Sequence, residues 1–175
     1  TLALSGAATQ SAYALALRSI RFASSSDDPT ALKSENPDTQ RSISWQLNDG
    51  TGNSESQTST INISAVNDKP VLTSTVAAVA FTENSAPVLA NNGIVLSDVD
   101  STMLSGATVT ISSGLQDGDV LAMSTITGIT AAYANGVLTL TGDATIAQYQ
   151  AALNAVTFSN ASDALSPGSL TRALL

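Results

Sequence analysis

Side chains with oxygen ligands are concentrated in a few short segments of this chain. Asp98-Val99-Asp100 places two carboxylates on alternate residues, hence on the same side of an extended chain. Asn67 and Asp68 lie just before Lys69-Pro70. Calcium binds six to eight oxygens from carboxylates, Asn amides and backbone carbonyls. Since softer ligands are lacking, these segments predict a site for Ca2+ rather than for zinc or copper.

Two further acidic residues belong to the same candidate set. Glu83-Asn84 follows the apolar stretch 79–82, and Asp49 lies in the turn Asn48-Asp49-Gly50-Thr51-Gly52. Asp117-Gly118-Asp119 is a possible third ligand pair, although Asp-Gly is more often a tight turn. The competing interpretation for every acidic residue in this set is that it caps a turn by hydrogen bonding to the backbone.

The composition limits the chemistry that is open to the protein. Cysteine and histidine are absent, which excludes disulfides, zinc-thiolate sites and Ser-His-Asp catalysis. The net charge of −8 disfavours nucleic acid and anionic membranes as partners, and no apolar run is long enough for membrane insertion. We therefore expect a protein that is not an enzyme. A hydrolase acting through Asp98 and Asp100 is the remaining catalytic alternative.

An internal duplication determines how the chain is divided. Residues 2–27 recur at 138–163, with 11 of the 26 aligned positions identical. The identical pairs include Gly6/Gly142, Thr9/Thr145, Tyr13/Tyr149 and Leu17/Leu153. We interpret residues 1–68 as the C-terminal half of one repeat, and residues 69–175 as the following repeat without its last strands. The joint between them is 65–70, where Pro70 favours an extended exit.

Apolar residues alternate with polar ones through most of the chain, which predicts β-strands. Ile43, Trp45 and Leu47 alternate before the Gly-rich turn, and Ile61 and Ile63 alternate after it, which predicts a hairpin. Other predicted strands are 71–77, 79–82, 93–97, 106–112, 128–133, 137–141 and 155–159. About seven short strands per repeat indicate an all-β protein built of sandwich domains.

One segment in each copy has helical spacing instead. Tyr149 and Leu153 are four residues apart in 145–153, and the counterpart is 9–17. A threonine at the start of each segment is a suitable N-cap. Tyr13 and Tyr149 would either close one end of each sandwich or form a platform for a ligand.

The segment from Arg41 to Pro70 resembles the end of a cadherin repeat, with its Trp-x-x-Asn-Asp-Gly turn and closing Val66-Asn67-Asp68-Lys69-Pro70. It is most similar to the cadherin-like repeats of giant bacterial surface adhesins and other RTX-type secreted proteins. Thr82-Glu83-Asn84 and Asp98-Val99-Asp100 then follow in the order typical of that family. The resemblance implies tandem Ig/cadherin-like β-sandwich repeats, each with one short helix.

The resemblance also implies a role for each candidate ligand. Asn67 and Asp68 with Asp98 and Asp100 would bind one or two Ca2+ ions at the joint, beside the positive charge of Lys69. Asp49 would serve the preceding joint and Glu83 the following one.

The function implied is a structural spacer of an extracellular, calcium-dependent adhesin on the bacterial cell surface, active in adhesion or biofilm formation. Its partners would be neighbouring repeats or identical chains, with any cell-surface or matrix ligand bound by other domains. The alternative is a subunit of an extracellular filament or surface layer, in which chains that begin and end within repeats complete one another by strand addition.

Overall fold

Antiparallel β-strands form most of the regular structure in this computed structural model, which describes residues 1–75, 78–82, 84–162 and 172–174. Residues 1–68, which include the first copy of the duplicated segment, contribute one helix and one hairpin. These elements are α1 (Gln10–Arg18), β1 (Gln40–Trp45) and β2 (Gln57–Asn62). In the hairpin Ile43 faces Ser59 and Trp45 faces Gln57.

The second copy belongs to a larger set of paired strands. The elements are β3 (Val71–Ser74), β4 (Val88–Leu89), β5 (Ile94–Ser97), β6 (Met103–Ser113), β7 (Asp119–Met123), β8 (Thr130–Ala134), β9 (Val137–Thr145), α2 (Ile146–Asn154), β10 (Val156–Asn160) and β11 (Ala173–Leu174). One sheet has the order β4-β10-β7, a second has the order β11-β6-β9-β8, and β3 pairs with β5. All of these pairings are antiparallel.

The hydrophobic core joins the three-stranded and the four-stranded sheet. Leu138 and Leu140 of β9 are 2% and 0% exposed, because alternate residues of a strand point to the same face. Leu121 of β7 and Val156 of β10 belong to the same buried cluster. Burying each of these side chains contributes about 1.5–3 kcal/mol. Two layers with a shared core are consistent with the predicted all-β sandwich.

Helix α2 closes this core, and its sequence explains its start. Thr145 is the N-cap, and its hydroxyl accepts a hydrogen bond from the Gln148 backbone amide while the Gln148 side chain accepts one from the Thr145 amide. Tyr149 has no exposed surface, and its hydroxyl donates to the Gly142 carbonyl at 2.7 Å. The predicted helix is confirmed, and a fully buried Tyr149 offers no surface on which a ligand could stack.

The same local structure is present in the first copy, without the burial. Thr9 caps α1, and the Tyr13 hydroxyl donates to the Gly6 carbonyl at 2.6 Å. However, Leu2 and Leu4, the counterparts of Leu138 and Leu140, are 67% and 42% exposed. Within the described residues, neither helix is long and apolar enough to cross a membrane.

Several strand predictions were wrong in detail. The return strand of the hairpin is β2, which starts earlier than expected. Its first residues are mostly Ser and Thr, so they do not show the apolar alternation by which the strand was predicted. Residues 79–82 do not form a strand. The Phe81 ring packs edge-on against the Phe158 ring, with 5.0 Å between the ring centroids, so this apolar residue serves side-chain packing instead of strand pairing. The predicted strand 71–77 ends at Ser74, and 76–77 lie outside the described residues. Strands β4, β7 and β11 were not predicted.

Gly142 is the position where a side chain would be least tolerated. Its φ is +128°, and a Cβ there would lie 2.1 Å from the Gly128 carbonyl oxygen. We expect Gly142→Ala to lower the free energy of unfolding by about 3 kcal/mol, from backbone strain together with the clash. Urea unfolding would measure this loss.

Gly6→Ala is the matched control. Gly6 has a φ of +120°, but a Cβ there would meet nothing within 4 Å. The control should lose about 1 kcal/mol at most, because only the strain remains. Equal losses in the two variants would contradict the structural explanation.

Candidate functional site

The segment that carries Asp98 directly follows β5, and helix α2 holds that strand in place. The Asn154 side chain accepts from the Ile94 amide and donates to the Ile94 carbonyl, both at 2.9 Å. Gln150 accepts a third bond from the Leu96 amide at 2.9 Å. Two helix side chains thus satisfy backbone groups of β5, and so they position the residues that come after it.

Asp98 shapes the turn that leaves β5. Its Oδ1 accepts hydrogen bonds from the backbone amides of Ser101 at 2.8 Å and of Asp100 at 3.1 Å. The bond from Ser101 is the main cause that holds the pKa of the Asp98 carboxyl below its ordinary value, because these bonds favour the ionised form. The side chain is therefore a charged turn cap, and it is only 8% exposed.

Asp100 connects this turn to the predicted joint. Its Oδ2 accepts a hydrogen bond from the Asp68 backbone amide at 2.9 Å, so the joint and the Asp-x-Asp segment meet as expected. Asp100 is 5% exposed, and its buried Oδ1 has no hydrogen-bond partner among the described residues. A buried carboxylate oxygen without a partner costs free energy, so this atom is one that a cation would stabilise.

The oxygen ligands at the joint are of the type that calcium binds, but they are fewer than calcium requires. Asp98 and Asp100 offer carboxylate oxygens, and the backbone of the joint offers carbonyls, which are hard ligands. Among the described residues, however, no three acidic side chains form a group that could hold a metal ion. An ion held here would depend on Asp98, Asp100, backbone carbonyls and water.

Lys33 is a residue of this site that the sequence did not reveal. Its Nζ donates to the backbone carbonyl of Asp98, and its charge also lowers the pKa of the Asp98 carboxyl. The two residues are 65 positions apart, in a stretch whose composition is typical of a solvated loop. Lys69, the basic residue expected at the joint, makes no hydrogen bond or ion pair with the described part of the chain.

Asp49 is fully engaged in its own turn. Its Oδ1 accepts from the Thr51 hydroxyl at 2.7 Å and from the amides of Thr51 and Gly52, both at 2.9 Å. The bonds from Thr51 come first among the causes that lower the pKa of Asp49 to about 2. This geometry is that of the turn-capping alternative, and a calcium role for Asp49 stays a prediction.

The other two candidates have different outcomes. Asn67 is exposed, and its amide nitrogen donates to the Asp68 carbonyl, which leaves its Oδ1 free of hydrogen bonds within the described residues. Glu83 lies outside the described residues. Of the predicted ligands, the structure thus brings together Asp68, Asp98 and Asp100, with Asn67 beside them.

Asp119 is a buried carboxylate with a structural partner. Its side chain is completely buried and forms an ion pair with Arg172 at 2.7 Å, while Asn160 donates to it at 2.7 Å and the Gln116 amide at 2.8 Å. Burial alone would raise the pKa of the Asp119 carboxyl, but the bonds from Arg172 and Asn160 outweigh it and hold the pKa below its ordinary value. Gly118, at φ +83°, makes the preceding turn. The Asp-Gly turn is confirmed, and Asp119 ties β11's segment to β7.

The lowered pKa of Asp119 makes the stability depend on pH. Its contribution is fully present above the pKa of an unfolded Asp, about 4, and is lost as the pH falls below that value. We expect Asp119→Asn to lower the free energy of unfolding at neutral pH by about 3 kcal/mol and to flatten the loss between neutral pH and about pH 3.

Urea unfolding across this pH range tests the prediction. Asp117→Asn, an exposed carboxylate in the same turn, is the control and should leave both quantities nearly unchanged. An Asp119→Asn variant that lost stability in acid as steeply as the parent chain would contradict the assignment.

The comparisons with known proteins add no relative. No protein-family model matches the chain, and neither a curated protein nor a solved structure matches it. The resemblance to cadherin-like repeats rests on the motifs around the joint and stays a prediction.

Proposed function

We propose that this chain is part of an extracellular tandem array of β-sandwich repeats, in which calcium at the joint between 1–68 and 69–175 stiffens the array. The observation that carries the proposal is the Asp100 carboxylate, which is buried at the joint. One of its oxygens has no partner among the residues that the structure describes, and the other accepts from the Asp68 amide. Calcium would satisfy that oxygen and link residues on both sides of the joint.

The charges at the joint also support a bound calcium ion. Asp98 is held in its charged form, and it lies beside the Asp100 side chain in a buried position where a cation would stabilise negative charge. The chain as a whole carries a net charge of −8, which favours the approach of divalent cations.

The role proposed for such an array is mechanical. Stacked sandwiches would act as a spacer in a calcium-dependent bacterial surface adhesin, and adhesion or biofilm formation would depend on their stiffness. The recognised cell-surface or matrix ligand would be bound by other domains. The extracellular location follows from the family resemblance, and the proposal assigns no catalytic role to Asp98 or Asp100.

Calcium should stabilise the chain measurably. At a free concentration a hundred times the dissociation constant, one bound ion adds about 2.7 kcal/mol to the free energy of unfolding. We expect calorimetry to show a higher melting temperature with CaCl2 than with a chelator. Asp100→Asn should abolish most of this shift.

Asp143→Asn is the control for charge alone, because Asp143 is exposed and lies in β9 instead of the joint. It should keep the full calcium-induced shift. The absence of any shift in the parent chain would refute the calcium joint, while leaving the sandwich fold unaffected.

A second candidate function is favoured by a separate observation. Residues 1–9 contain no strand, whereas their counterpart β9 is paired on both sides, with β6 and with β8. The first copy therefore presents unpaired backbone next to exposed Leu2 and Leu4. A strand from an identical chain could add there, as in a subunit of an extracellular filament or surface layer.

Helix α1 and the β1–β2 hairpin also form a groove. It has a volume of about 270 Å³ and is lined by apolar residues of α1 and of the hairpin, together with polar neighbours. The apolar ones are Leu17, Trp45 and Leu47. Exposed backbone and a groove are the features that strand addition uses, since backbone bonds give affinity and a groove receives side chains.

The second candidate predicts self-association. Light scattering over a range of concentrations should give masses above the 17.7 kDa of one chain, and Leu4→Glu should return the mass to that of a monomer. Leu72→Glu, at an exposed apolar position of β3, is the control and should still associate. A monomer at every concentration would exclude this candidate.

A further inference from the structure

Lys33 lies at the position where a cation is needed, although it comes from the other side of the joint. Its ammonium group donates to the backbone carbonyl of Asp98, whose carboxylate belongs to the pair at the joint. That carbonyl is one of the backbone oxygens that a calcium ion at the joint would draw on. The ammonium group and the ion would thus compete for the same oxygen.

The loop that presents Lys33 is held by bonds of its own. The Arg41 guanidinium donates to the Pro29 carbonyl at 2.6 Å and to the Asp38 carbonyl at 2.9 Å. The Asp38 amide donates to the Thr30 carbonyl at 2.8 Å, and Thr30 is completely buried. The base of the loop is thereby closed, so the loop places Lys33 at the joint with little loss of backbone freedom.

The charges at the joint agree with this placement. The ammonium group of Lys33 contacts the Asp98 carbonyl, whereas Oδ1 of Asp100 has no hydrogen-bond partner in the described part of the chain. The single positive charge of Lys33 therefore balances only part of the negative charge of Asp98 and Asp100. A divalent ion that reached Asp100 and Asp98 would lie close to the ammonium group, and like charges at such distances repel.

We propose that Lys33 is a tethered cation that occupies the joint in the absence of calcium and must move away when calcium binds, so that it sets the calcium affinity of the joint. The inference rests on the proposed calcium joint. Lys33 acts through the Asp98 carbonyl as a positioning and competing residue. Its long flexible side chain lets it leave without rearrangement of the loop base.

Calorimetric titration of the full chain with CaCl2, after removal of metal by chelator and dialysis, tests the inference. Lys33→Gln should bind calcium about tenfold more tightly than the parent chain, because the competing charge is gone. Lys33→Arg keeps the charge and should stay within about twofold of the parent affinity. Lys33→Met is a second neutral variant, in case the glutamine variant is poorly folded.

Lys69→Gln is the matched control, since it removes the only other lysine, which adjoins the joint without contacting Asp98. Screening by salt should limit its effect to less than about threefold. A second readout separates competition from loss of structure: the calcium-induced rise in melting temperature should be larger in Lys33→Gln than in the parent chain.

The outcomes distinguish the inference from the proposed function. Calcium binding by the parent chain with an unchanged or weaker affinity in Lys33→Gln would overturn the role of Lys33 and leave the calcium joint standing. Binding by Lys33→Gln alone would support competition by Lys33 and would contradict a calcium joint in the parent chain. If neither the parent chain nor either neutral variant bound calcium, both the calcium joint and the inference would be overturned.

Discussion

The structure depends on one packing arrangement, in which β9 contains Gly142 and leads directly into helix α2, so that Leu138, Leu140 and Tyr149 share one core. Without a side chain, Gly142 lets the Gly128 backbone approach closely, and the Tyr149 hydroxyl satisfies the Gly142 carbonyl. Those side chains lie between the two sheets, and the burial of their apolar surface holds the sheets together. The same helix fastens β5, and β5 leads directly into the carboxylates of the joint.

The first copy shows how much of this arrangement is local. Its threonine cap, its nine-residue helix and the bond from Tyr13 to Gly6 are all present, although Leu2 and Leu4 remain in contact with solvent. Capping and backbone conformation are decided by residues within about one helical turn of each other. Burial requires strands from distant sequence, and it supplies most of the stability.

The joint combines groups that local and distant interactions bring together. Asp98 caps a turn through its own neighbours, whereas Asp100 reaches back to Asp68 and Lys33 reaches across from the first copy. The carboxylate pair is costly to bury, and the protein offsets that cost with backbone amides and one ammonium group. A spacer whose stiffness responds to calcium would use this incomplete balance.

The sequence by itself determined the strand-rich class, the duplicated cap and helix and the Gly turns, because periodicity, capping and turn chemistry act over a few residues. The approach of Asp100 to Asp68, 32 positions away, was implied only by the family resemblance. The tertiary structure decided what those patterns do not encode. It formed β2 from Ser and Thr without apolar alternation, it used Phe81 for packing instead of a strand, and it carried Lys33 to Asp98. Such contacts depend on which distant segments share a surface, and that choice is made by the packing of the whole chain.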